Sequence, residues 1–189
     1  MSQTMTNMAH WEEQCRTSGG RIDRTADYDV ISVLPDPRRI FDLIDQRMLR
    51  AKREQSMFTL FSINLDRFKE ADDRLGHHFS ALLLKEVAQR LRSCLRKPDT
   101  VERLGERELA VLVSTLKSRT DAATVAQRLV DAIALPFFIE GREYPLGARI
   151  GISLYPDDGE TAELLLVKAD TAMCRARRIW YNNYLFYSS

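Results

Sequence analysis

Apolar residues recur at three-and-four spacing in four stretches of the chain, the mark of a helix with one buried face. Ile40, Phe41, Ile44 and Met48 form the first stripe, with Asp36 placed to cap the helix and Pro37 in its first turn. Leu83, Leu84, Val87, Ala88, Leu91, Cys94 and Leu95 form the second. Val125, Ala126, Leu129, Val130 and Ile133 predict a helix over Asp121 to Ala134. Leu164, Leu165, Ala169, Ala172, Met173 and Ala176 point inward from a last helix over Glu160 to Arg177. Extended runs lie between these stripes. Met57 to Leu65 is dense in apolar and aromatic residues and reads as a central strand. Phe137 to Ile139 and Tyr144 to Leu154 read as strands around a Glu140-Gly141 turn, and Asn183 to Tyr187 as a closing strand. A short polar helix is expected after Asp66-Arg67-Phe68-Lys69.

The stretch Arg103-Leu104-Gly105-Glu106-Arg107-Glu108-Leu109 stands between a brief extended run and the apolar Leu109 to Val113. It reads as strand, tight turn, strand, with Gly105 at the tip because glycine tolerates positive φ. Strands separated by helices, with one hairpin in the middle, predict a sheet covered by helices.

Composition narrows the class. Hydrophobic residues at 44% and charged residues at 29% of 189 fit a globular domain able to bury a real core. Residues 1–28 are polar, with a Ser18-Gly19-Gly20 loop signal, and read as a lead-in to one domain over 29–189. The net charge of +1 gives no bulk field for nucleic acid or a membrane surface. No run has the length of a membrane span, and no signal peptide opens the chain. Cys15, Cys94 and Cys174 are odd in number and lack metal spacing, which fits a reducing cytoplasm and gives Cys94 a packing role. His77 and His78 are adjacent, so they cannot face one ion from a helix.

Several ordered motifs resemble the GGDEF family, the bacterial diguanylate cyclase domains that join two GTP into cyclic di-GMP. They are Asn64-Leu65-Asp66-Arg67-Phe68-Lys69, Asp73-Arg74-Leu75-Gly76-His77, the hairpin, Ile150-Gly151-Ile152-Ser153-Leu154-Tyr155-Pro156 and Ala169-Asp170-Thr171-Ala172-Met173. Asp29 to Pro35 resembles the family's opening turn. The resemblance implies an α+β, ferredoxin-like fold akin to nucleotidyl cyclase palm domains, with a central, mainly antiparallel five-stranded sheet covered by helices. The Tyr155-Pro156-Asp157-Asp158-Gly159 loop and the tail 182–187 resemble GGDEF domains that precede an EAL phosphodiesterase domain.

The signature itself departs from the family. Its five letters read Gly105-Glu106-Arg107-Glu108-Leu109, so two match. In the family one metal ligand is the first Asp after the long apolar strand, here Asn64, and another is the third signature letter, here Arg107. Joining two GTP needs Mg²⁺ to offset triphosphate charge, and Mg²⁺ takes hard anionic oxygens. A guanidinium within about 4 Å of that ion would be repelled by several kcal/mol. Glu106 adds bulk and charge where the family's second glycine admits phosphate. Asp66 and Glu108 remain. The resemblance assigns guanine reading to the positions of Asp72 and Ala81, the second of which offers no hydrogen bond; of the family's two phosphate-binding cations one is kept as Arg177, and the other position is Tyr181.

Arg96-Lys97-Pro98-Asp99 begins nine positions before Gly105 and resembles the family's RxxD inhibitory site, where Arg and Asp bind cyclic di-GMP. Arg offers a planar fork to guanine O6 and N7 or to phosphate, and Asp accepts from N1–H and N2–H. Arg128 corresponds to the family's secondary Arg. The blander reading makes Arg96 a helix-end cation and Asp99 a turn residue.

The expectation is a catalytically silent GGDEF-like receptor in cyclic di-GMP signalling, binding cyclic di-GMP through Arg96, Asp99 and Arg128, beside an EAL or other signalling domain. No cofactor is expected, with Mg²⁺ entering only if cyclase activity survives. The alternatives are a GTP-binding allosteric module using Asp72, Arg107 and Arg177, a weak cyclase, and a ligand-free homodimerisation or docking domain.

Overall fold

The computed structural model describes residues 39–68, 76–116, 118–176, 179 and 182–188. In chain order the elements are α1 (Arg39–Glu54), β1 (Met57–Asp66), α2 (His77–Ser93), β2 (Thr100–Arg103), β3 (Glu108–Leu116), α3 (Arg119–Ala134), β4 (Phe137–Ile139), β5 (Arg142–Tyr144), β6 (Gly147–Tyr155), α4 (Ala162–Ala176) and β7 (Asn183–Phe186). Five strands form one sheet in the order β2-β3-β1-β6-β7. Its pairs are antiparallel except β6 with β7, which run parallel. This is the mainly antiparallel α+β fold expected.

β1 lies at the centre, and every residue from Phe58 to Asp66 is buried. Alternation divides its side chains between two cores. Phe61, Ile63 and Leu65 pack with Leu83 and Val87 of α2 and Leu129 and Ile133 of α3. Phe58 and Leu60 pack on the other face with Ile40 and Ile44 of α1 and Leu165 and Ala169 of α4. Both faces are covered, which explains why β1 reads as a continuous apolar run. α4 sits so close to β6 that a Cβ on Gly151 would collide with the Ala169 carbonyl oxygen and lie 2.8 Å from Met173 Cα.

Caps and clamps fix the helix ends. Ser118 Oγ accepts from Asp121 N at 3.1 Å, so α3 begins at Arg119, slightly before the expected Asp121. Thr161 Oγ1 accepts from Leu164 N at 3.2 Å, and α4 begins at Ala162 rather than Glu160. At the far end of α3, Arg90 donates to the carbonyls of Ala132 at 3.1 Å, Leu135 and Pro136 at 2.9 Å. Its guanidinium also lies 3.6 Å from the Phe137 ring centroid. Carbonyls that a helix end leaves unpaired are thereby satisfied by one side chain.

Two expectations change. The Tyr144 to Leu154 run is two strands: β5 pairs with β4 in a separate ribbon, and β6 joins the main sheet. Pro145 lies between them and has no N–H to continue a ladder. Leu164 points outward at 41% exposure, while Ala162 and Leu166 join the buried face of α4. Cys94 is half-buried at the C-terminal end of α2, packed against the core as expected. The Glu140-Gly141 turn is present, with φ of 50° and 76° at its two residues. Residues 1–28, the Asp29 to Pro35 entry, the Asp36-Pro37 helix start and the polar helix after Lys69 lie outside the described residues.

Candidate functional site

The β2–β3 connection is a four-residue loop, 104–107. Leu104 N and Gly105 N both donate to the Glu108 carbonyl, at 2.8 and 3.2 Å. Arg103 Nε donates to Gly105 O at 2.8 Å, and Leu65 N donates to the Arg107 carbonyl at 3.0 Å, which pins the loop to the end of β1. Burial holds the Arg103 guanidinium below its ordinary pKa, and nearby Glu106 partly offsets this. Gly105 does not use positive φ, which among the described glycines occurs at Gly76 and Gly141. A Cβ there would stand 3.3 Å from Glu108 Oε2, a tight contact that the Glu108 side chain would have to ease. The expectation of a left-handed tip is therefore corrected to one of close approach.

The register of three strands sets a polar row on one sheet face. Glu108 of β3 opposes Asn64 of β1, which opposes Arg149 of β6. Asn64 is 1% exposed and donates through Nδ2 to Glu108 Oε1 at 3.2 Å. It is a core residue, not the surface polar group its type suggests. Two positions along β1, Asp66 is buried and ion-paired with Arg149 Nη1 at 3.0 Å. Glu106 is exposed, and Arg107 and Glu108 are half-buried.

These residues are a poor donor set for a divalent cation. Asn64 turns a donor, not an oxygen, toward Glu108. Asp66 faces a guanidinium, and Arg107 flanks the row. Mg²⁺ favours several anionic oxygens in octahedral array. Among the described residues no three His, Cys, Asp or Glu side chains converge as metal ligands. Sequence reasoning missed Arg149, because only the β1–β6 register brings it beside Asn64. Asp72, Arg177 and Tyr181 lie outside the described residues. Ala81 is half-buried on α2.

A second polar place lies at the sheet edge, where α2 turns into β2. Asp99 builds that turn. Its Oδ2 accepts from Arg96 N at 3.0 Å, and its Oδ1 accepts from Ser114 N at 3.0 Å and lies 3.2 Å from Ser114 Oγ. Arg47 of α1 donates to the Pro98 carbonyl and ties the turn to that helix. The result is a cleft of about 330 Å³ whose walls include Arg92, Arg96, Lys97, Asp99, Thr100 and Glu102. The structure thus brings Arg96 and Asp99 together in one cavity. Arg128 is exposed on α3 and does not line it. Glu102 was passed over in the sequence because an acid in a four-residue strand carries no pattern. It is 5% exposed, and burial raises its carboxyl above the usual range, with Arg39 and Arg92 pulling the other way.

The family model described as diguanylate cyclase, GGDEF domain, matches residues 26–183. The chain belongs to the GGDEF family. It is 39% identical over 162 residues to the bifunctional diguanylate cyclase/cyclic di-GMP phosphodiesterase MucR of Pseudomonas aeruginosa, covering 86% of this chain and 24% of MucR. It is 34% identical over 176 residues to the diguanylate cyclase TpbB of the same species, covering 92% of this chain and 40% of TpbB. The crystal structure of the GGDEF domain of TpbB (YfiN) superposes with a TM-score of 0.79 at 32% identity, covering 84% of this chain and 99% of that one. The chain therefore spans less than half the length of these two relatives. The GGDEF family is one of cyclic di-GMP signalling. No helix among the described residues is long and apolar enough to cross a membrane.

Proposed function

We propose that this GGDEF domain is a catalytically silent receptor for cyclic di-GMP, with the ligand held in the cleft between the end of α2 and β2. The observation that carries this reading is the cleft itself. Arg92, Arg96 and Lys97 line a cavity of about 330 Å³ at the position of the RxxD sequence. Planar guanidinium groups there suit both guanine O6 and N7 and the phosphodiester oxygens. Arg128, exposed on α3, would reach a second, intercalated copy of the ligand.

Catalytic silence is supported by the Asn64–Glu108 hydrogen bond and the Asp66–Arg149 ion pair, which engage one oxygen of each acid and set a cation beside them. The setting is a longer signalling protein with an EAL phosphodiesterase or other output domain, a reading supported by the likeness to MucR. Calorimetric titration with cyclic di-GMP and GTP side by side tests the proposal. Saturable binding of cyclic di-GMP, weakened about tenfold or more by R96A, is the expected result. Cyclic di-GMP formed from GTP and Mn²⁺, resolved by chromatography, would overturn the silence.

The second reading is a GTP-binding allosteric module. The cations Arg107 and Arg149 beside the Asn64–Glu108 pair favour it, since guanidinium groups can hold phosphate without a metal. Asp72 and Arg177 would complete that site. Hydrogen-exchange protection of 64–69 by millimolar GTP, lost in R107A, would support this module over the receptor.

A further inference from the structure

The cleft presents two carboxylates, and they differ in what they have left to give. A carboxylate offers about four acceptor positions over its two oxygens. Asp99 has both oxygens engaged by backbone N–H groups, from Arg96 at 3.0 Å and Ser114 at 3.0 Å, with Ser114 Oγ within reach of Oδ1. Those bonds hold the turn to β3. To receive a guanine edge in bidentate fashion, Asp99 would have to share or release them.

Glu102 is in the opposite condition. It is 95% buried by its 5% exposure, and its Oε2 has no hydrogen-bond partner. Thr100 Oγ1, two residues earlier on the same strand and on the same cleft, also lacks one. Buried polar atoms without partners are few in native proteins, and each needs a reason. Arg39 and Arg92 act on the Glu102 carboxyl through space, but neither closes a hydrogen bond to Oε2.

We infer that Glu102, rather than Asp99, is the carboxylate that reads the guanine base in this cleft. The inference rests on the reading that the cleft holds cyclic di-GMP. A guanine edge sets acceptors O6 and N7 beside donors N1–H and N2–H. The cleft sets the cations Arg92 and Arg96 near an acid with unused acceptor capacity. The two patterns match. Adenine presents an N1 acceptor and no N2 amine, so a carboxylate at this place repels it. Asp99 keeps the turn in shape and so positions Arg96, while Glu102 decides which base is accepted.

The test compares three ligands on four proteins. Cyclic di-GMP, cyclic di-inosine monophosphate (which lacks the N2 amine) and cyclic di-AMP are titrated into the wild type, E102Q, D99N and R96A. The wild type is expected to prefer cyclic di-GMP to the inosine analogue by about tenfold, the value of one hydrogen bond to a charged group. E102Q is expected to lose that preference along with about tenfold of its cyclic di-GMP affinity. D99N keeps the preference. E102D, one methylene shorter, keeps it at weaker affinity and serves as the second variant should E102Q misfold. If E102Q retains both affinity and preference while R96A loses binding, the assignment of Glu102 is wrong and the receptor reading stands. If D99N alone loses the preference, Asp99 is the reader. If the wild type binds no cyclic di-GMP, the receptor reading falls and takes this assignment with it.

Discussion

Asn64 Nδ2 lies 3.2 Å from Glu108 Oε1, side chain against side chain across neighbouring strands. An amide in that position bonds to the carboxylate it faces. An aspartate there would oppose it, and two carboxylates at such a distance need either a cation between them or a proton on one of them. The pair therefore stabilises itself without an ion.

Restoring the acid should expose this balance. N64D removes the donated hydrogen bond and places a second buried charge beside Glu108. The expected cost is about 1–3 kcal/mol, or roughly 2–10 °C in melting temperature for a domain of this size. Millimolar Mn²⁺ should recover part of the loss in N64D and leave the wild-type melting temperature unchanged. Thermal melts with and without the ion give the answer, and an equal shift in both proteins would count against the pair as described.

Glu102 should make stability depend on pH. Its folded carboxyl sits above the ordinary glutamate range because it is buried. Below that range both folded and unfolded chains carry the proton, and the wild type keeps the full contribution of the neutral group. As pH rises, the unfolded carboxyl ionises first, and the contribution is lost as pH passes through the raised folded value. E102Q cannot ionise, so it should gain on the wild type between the ordinary glutamate range and neutrality and match it at lower pH. Urea unfolding of the two proteins across that interval measures the difference. A constant gap would show that Glu102 does not titrate abnormally.

Arg90 is expected to act in stability alone. R90A strips donors from the carbonyls of Ala132, Leu135 and Pro136 and removes the cation over Phe137. A loss of about 2–4 kcal/mol follows from the unsatisfied carbonyls and the lost ring contact. R90K should recover little, since one ammonium cannot replace a planar fork. Denaturant midpoints should fall in both variants, while cyclic di-GMP affinity measured on the folded fraction should not.

Two glycines should respond to alanine for different reasons. At Gly151 the new Cβ meets the backbone of α4, which must move away from β6. Overpacking of this kind costs about 1–3 kcal/mol or more. At Gly141 a Cβ would meet nothing within 4 Å beyond its chain neighbours, but φ is +76°, so the cost is that of a left-handed residue, about 1–2 kcal/mol. Hydrogen exchange should report loosening at α4 and β6 for G151A, and only in the β4–β5 ribbon for G141A.

By itself the sequence determined the helices, the central strand and the hairpin, because these rest on local periods of 3.6 and 2 that any apolar stripe displays. It also named Asn64, Arg107 and Asp99 as positions of consequence, through motifs of fixed order. Where local rules ran out, the tertiary structure decided. Pro145 split one expected strand in two, and Leu164 turned outward although its spacing fitted the buried stripe. The neighbours of Asn64 depend on the registers of β1 with β3 and β6, so Arg149, 85 positions away, could not be seen beside it. The same holds for the two acids of the cleft. Asp99 has its second oxygen occupied because β3 returns Ser114 to its side, and Glu102 Oε2 is left unsatisfied because the folded edge of the sheet removes water from it. Identity is a property of the chain, but which acceptor has a lone pair to spare is a property of everything packed around it.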